Sequence, residues 1–147
     1  IISLIMFGIF GSLKLGLVAI LPNTFPMLTV FGLMGWLDFN LDITTLMTAP
    51  IIIGIAVDDT IHFITHYRLS LLKGASISEA IHSTLHEVGQ AIIITTLILM
   101  SIFLFFIPVS HVGVSRFSIL AVIAVFSALL ADLFLLPALC RVLRVRV

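Results

Sequence analysis

Two acids stand side by side at Asp58 and Asp59, within the stretch GIAVDDTIH that runs from Gly54 to His62. The run APIIIGIAV precedes them and IHFI follows. An ionised carboxylate placed deep in an apolar segment costs a few kcal/mol or more, so acids there are expected to be functional. Two adjacent carboxylates in low dielectric do not both ionise cheaply, so the pair is expected to hold a proton part of the time. On a helix Gly54, Asp58, His62 and His66 follow one another at i, i+4 on one face, and Asp59 stands three residues before His62. The chemistry this stripe offers is proton binding and release, with His62 as a relay or tuning group. Gly54 leaves room for another backbone to approach near the acids.

Other polar residues are candidates for contact with the pair. Thr95, Thr96 and Ser127 are expected as hydrogen-bond partners, judged by depth. Asp132, five residues before Pro137, is a further relay candidate and is expected to bond a Ser or Thr on a neighbouring helix. Asn23, between Pro22 and Pro26, is expected either to satisfy carbonyls freed by the prolines or to face a cavity. The pairs His62-x3-His66 and His82-x3-His86 raise a rival chemistry, a membrane di-iron hydroxylase, because two histidines four apart on a helix can share a metal. The chain has five histidines and no adjacent pair, and HxxxH alone is a weak signal. The site is therefore read with no metal and no cofactor, and the chain as no enzyme.

These residues must be positioned by membrane helices. Of 147 residues, 61% are hydrophobic and 10% are charged, and mean hydropathy is +1.35. That composition predicts an all-α, polytopic membrane helix bundle, not a soluble domain. Formal net charge is zero, so there is no footprint for nucleic acid, and a lone cysteine, Cys140, excludes a disulfide framework. Five apolar stretches lie at roughly 1–13, 15–36, 44–66, 89–108 and 116–140, about the length a span needs except for the first. Pro22 and Pro26 are expected to kink the second. Ser76-Ile77-Ser78-Glu79 reads as a capping box opening a short amphipathic helix between the third and fourth spans, with Ile77, Ile81, Leu85 and Val88 on one face.

Lys14, Arg68, Lys73, Arg141, Arg144 and Arg146 fall on one side of a five-span chain, and Arg116 on the other. The positive-inside rule makes the first side cytoplasmic, with the C-terminus there. The chain opens within an apolar run, which reads as a fragment of a larger protein forming a single transmembrane domain over 1–147.

At GIAVDDTIHF the sequence resembles the transmembrane half of the resistance-nodulation-division (RND) superfamily, in the branch of MMPL-type, hopanoid-type and Patched-like proteins. That branch carries Gly-x-x-x-Asp-Asp/Tyr in its fourth and tenth spans, and here the motif reads Gly54, Asp58, Asp59. The segments IHFITHYR, KGASISEAIHSTLHEVGQAIIITTL and FSILAVIAVFSALLADLFLLPALC resemble the same branch, so the likeness covers essentially the whole chain. The resemblance implies a twelve-span transporter of two similar halves in the cell inner (plasma) membrane, this chain supplying spans eight to twelve, with spans two to six as the other placement. It implies that Asp58 and Asp59 take up and release protons, driving export of lipids or other hydrophobic molecules. The partners implied are the lipid bilayer, the other half of the same transporter, a hydrophobic substrate, and a further copy in a homo-oligomer. The chain has Asp-Asp where many MMPL members have Asp-Tyr, and lacks the lysine of the drug-efflux branch, which favours a lipid-type substrate. The alternative within the resemblance is a sterol-sensing or Patched-like regulatory module whose acids couple to another cation.

Overall fold

The computed structural model describes residues 13–39 and 42–143. Nearly all of the expected first span, and Arg144 and Arg146, lie outside these residues. Among the described residues the chain is helices joined by short turns, without a strand. The helices are α1 (Leu13–Trp36), α2 (Ile43–Leu72), α3 (Ile77–Phe106), α4 (Val112–Leu130) and α5 (Leu136–Val142), with a π-helical turn (Ala131–Leu135) joining α4 to α5. Among the described residues four segments are long and apolar enough to cross a membrane: Val18–Trp36, Thr45–Leu72, Ile77–Phe106 and Val112–Val142.

Each element has a local cause. Asp42 caps α2, accepting from the Thr45 N–H at 2.7 Å, while Thr45 Oγ1 accepts from the Asp42 N–H at 2.9 Å. Ser76 and Glu79 form the same reciprocal box at the start of α3. The amphipathic segment that opens there is not a helix of its own. It runs unbroken into the fourth span, giving a helix of 30 residues. No proline separates the two parts, and Gly89 alone weakens a helix by only about 1 kcal/mol. At about 1.5 Å per residue such a helix is about 45 Å long, more than the roughly 30 Å hydrocarbon core. It is thus longer than a hydrocarbon core crossed without tilt requires.

Pro22 and Pro26 do not interrupt α1, and Pro50 does not interrupt α2. The π-turn closes with the Leu136 N–H bonded to the Ala131 carbonyl. It lies directly before Pro137, which has no N–H for the Leu133 carbonyl and whose ring would crowd it.

α2 and α4 pack on each other, with α1 and α3 each packed against both. Two apolar clusters fill the interior at different levels. One joins Leu15, Val18, Phe63, Ile64, Tyr67, Leu136 and Cys140; the other joins Val30, Met34, Ile52, Leu120 and Ala124. Between these levels stand buried polar residues: Asn23 in α1, Thr60 in α2 and Asp132 in the π-turn. At the Val30–Ile52 end, the Arg116 guanidinium lies over the Phe39 ring, 5.1 Å from its centroid.

Candidate functional site

The acid pair lies near the middle of α2, on the side facing α3 and the open edge of the bundle. Asp58 and His62 are one turn apart, with Oδ1 and Nε2 separated by 3.7 Å. Both side chains are open, exposed at 74% and 70% respectively. Asp59 is half-buried beneath them. Gly54, Asp58, Asp59 and Thr95 line one groove between α2 and α3, with Ile55, Ile98 and Leu99 as its apolar walls. The groove continues along the stripe past His62 and His66 to Glu87. The residues that helical spacing placed on one face are on one face.

His66 also makes contacts across to α3. Its Nδ1 lies 3.0 Å from Thr84 Oγ1 and its Nε2 lies 3.1 Å from Glu87 Oε2, so it ties α2 to α3. His82 and His86 are exposed on α3. The two HxxxH pairs do not converge, and among the described residues no three His, Cys, Asp or Glu groups form a metal-binding cluster.

The expected hydroxyl partners of the acids fare differently. Thr95 reaches the groove, but its hydroxyl is turned to its own helix, within 3.1 Å of the Ala91 carbonyl and 3.0 Å of the Ile92 carbonyl. Thr96 is buried on α3. Ser127 is buried and donates to the Ala124 carbonyl at 2.8 Å. None of the three bonds to Asp58 or Asp59. Helical Ser and Thr readily return their hydroxyl to the preceding turn, which depth alone did not reveal. At Gly54 there is room: among the described residues a Cβ there would meet nothing within 4 Å.

Asp132 does meet a threonine. Its Oδ1 lies 2.8 Å from Thr60 Oγ1, and Thr60 Oγ1 lies 3.3 Å from Asn23 Oδ1. Asn23 Nδ2 donates to the Ala19 carbonyl at 2.7 Å. This is an ordinary helical acceptor, one residue past the Val18 carbonyl that Pro22 leaves without a donor. Sequence reasoning missed Thr60. Its one signal was its place directly after Asp59, on the opposite side of the helix from Asp58.

Taken together, the bundle is a multi-pass membrane segment with protonatable groups, two carboxyls among them, on an open mid-span face and a third carboxyl buried behind it. Residues 9–142 match the sequence model of the Patched family, described as Patched SSD, and the chain belongs to that family. It is 30% identical over 102 residues to the hopanoid transporter HpnN of Burkholderia multivorans, covering 69% of this chain and 12% of that protein. It is 25% identical over 146 residues to the solvent-resistant pump membrane transporter SrpB of Pseudomonas putida, covering 95% of this chain and 14% of that protein. A putative membrane protein of Methanocaldococcus jannaschii is 34% identical over 77 residues, covering 52% of this chain and 20% of the relative. The chain thus spans a fifth or less of the length of each of these relatives. HpnN and SrpB are both transporters. No solved structure matches.

Proposed function

We propose that the chain is the transmembrane half of a proton-driven, RND-type exporter of lipids or other hydrophobic molecules. In this reading Asp58 and Asp59 are the proton site and His62 is the group that tunes or relays it. The observation that carries the reading is the alignment of Asp58, Asp59 and His62 along one open groove in mid-span. Charged groups at that depth do not face hydrocarbon without a cost of a few kcal/mol. The groove is therefore the face covered by the other half of the same transporter, and Gly54 is the point where a second backbone comes close. The kinship with a hopanoid transporter and a solvent-resistant pump supports a hydrophobic cargo. In this reading the α2–α3 loop and the C-terminus face the cytoplasm and the inner membrane is the site of action, an orientation that the distribution of basic residues supports.

The mechanism follows from the geometry. A proton entering the groove reduces the charge of the Asp58–Asp59 pair and the repulsion between them. Its release restores both. Alternating these states changes what the opposing helices can pack against, so proton flow is coupled to rocking of one half against the other. The test is transport by the reconstituted full-length protein carrying Asp58→Asn or Asp59→Asn. Loss of lipid export, with insertion intact, is expected from each; full activity in both overturns the reading. The match to Patched SSD carries a second reading, a regulatory module answering to another cation. It would show itself as activity that follows a sodium gradient and ignores a proton gradient.

A further inference from the structure

The buried chain Asp132–Thr60–Asn23 has a proton count that its geometry fixes. Thr60 Oγ1 stands within hydrogen-bond distance of two oxygens, Asp132 Oδ1 at 2.8 Å and Asn23 Oδ1 at 3.3 Å. A threonine hydroxyl carries one hydrogen and cannot donate to both. The Asn23 amide is oriented by its Nδ2–H on the Ala19 carbonyl, which leaves Oδ1, an acceptor, toward Thr60. Both contacts are hydrogen bonds together only when a proton sits on Asp132. The carboxyl O–H then donates to Thr60, and the Thr60 O–H donates onward to Asn23.

The surroundings agree. Asp132 is 1% exposed, and no cation among the described residues pairs with it. A buried ionised carboxylate without a cation is costly, whereas the neutral acid needs only its hydrogen bonds. On α2, Asp59 is half-buried, while Asp58 and His62 point out on the open face. From α1 comes Asn23, which is uncharged. On α3, His82 and His86 are exposed and Glu87 is engaged by His66. Arg116 of α4 lies over Phe39 at the far end, and α5 carries exposed Arg141 and buried Cys140.

We propose that Asp132 is a second proton-binding site, occupied in this conformation, whose proton sets the direction of a hydrogen-bond chain joining the π-turn, α2 and α1. The event is a simple protonation. One O–H bond forms on Oδ1, and the proton is exchanged with water. When it leaves, the Thr60 hydrogen turns to the carboxylate and Asn23 loses that donor, so the link from α2 to α1 weakens. The π-turn suits the role, because its widened backbone can change register with little disruption. Thr60 directly follows Asp59, so any movement of α2 that shifts the acid pair also pulls on this chain.

Infrared spectroscopy of the purified full-length protein in vesicles tests it. A protonated carboxylic acid has a carbonyl stretch separate from that of a carboxylate. At neutral pH the expected spectrum contains such a band, which Asp132→Asn removes. Thr60→Val is expected to keep the band and shift it to higher frequency, because the carboxyl loses its partner, and Thr60→Ser is expected to return it. An unchanged carboxylic region in folded Asp132→Asn overturns the proposal, as does a band indifferent to Thr60→Val. The inference does not rest on the export reading. A transport-dead Asp58→Asn variant that keeps the Asp132 band leaves it standing, and normal transport by that variant does not remove it.

Discussion

Asp58 and His62 face each other across one turn of α2, Oδ1 to Nε2 3.7 Å, with both groups open to the groove that Thr95 shares. The distance is long for a fixed ion pair and short enough for a proton to pass through one water. The pair is thus suited to exchange and poorly suited to holding helices together. His62→Ala is therefore expected to leave thermal stability within about 0.5 kcal/mol, as for other exposed sites. Transport is expected to slow by roughly 10²-fold, the lower range for loss of a proton-transfer group. Initial rates in vesicles under an imposed pH gradient measure it, and an unchanged rate removes His62 from the pathway.

Gly54 gives a prediction that separates this chain from its partner. Among the described residues a Cβ at Gly54 meets nothing within 4 Å, and alanine favours the helix by about 1 kcal/mol. Gly54→Ala is expected to insert and fold normally when this bundle is expressed in its full-length parent. If another backbone packs there, export falls while the bundle remains stable, and Gly54→Leu abolishes export. Normal export by Gly54→Leu shows that the groove stays open at this point.

Much of this arrangement was legible in the sequence. Apolar runs located the spans, and the box of Ser76 and Glu79 appears at the start of α3 as read. The i, i+4 stripe from Gly54 to His66 was visible because it depends on one helix alone. What was not legible depends on two helices. Thr60 and Asp132 are 72 residues apart in sequence, and a threonine inside an apolar run carries no signal of its partner. Thr95, Thr96 and Ser127 look equivalent by depth, yet their hydroxyls and exposures differ through rotation about their own helix axes. The merger of the amphipathic segment with the fourth span was hidden for another reason. Amphipathic and uniformly apolar patterns share one helical period, so the change of pattern does not mark an end.

The tie between α2 and α3 at His66 is expected to be structural and weak. Glu87 lies on the exposed side of the tie, where ion pairs contribute about 0–1 kcal/mol. Glu87→Gln should therefore lower stability by less than about 1 kcal/mol. Thr84 also donates to the Ala80 carbonyl at 2.7 Å, so His66→Ala leaves its hydroxyl bonded. That substitution should cost only about 1 kcal/mol, the usual net value of one hydrogen bond. Denaturation in mild detergent measures both. A loss several times larger places His66 among the residues that hold the bundle.

Ser76 tests whether the start of α3 is held by its cap or by packing. Its side chain accepts from the Glu79 N–H at 3.3 Å, and the Ser76 N–H donates to Glu79 Oε2 at 2.8 Å. Ala80 is fully buried one turn on, against the cluster of Phe63 and Tyr67. The cap can fray the first turn but cannot release Ala80. Ser76→Ala is expected to cost about 1 kcal/mol, Ser76→Asp to restore it, and hydrogen exchange to quicken at residues 77–79 while Thr84 stays protected. Faster exchange through Thr84 would mean that the cap, and not the packing of Ala80, fixes where this long helix begins.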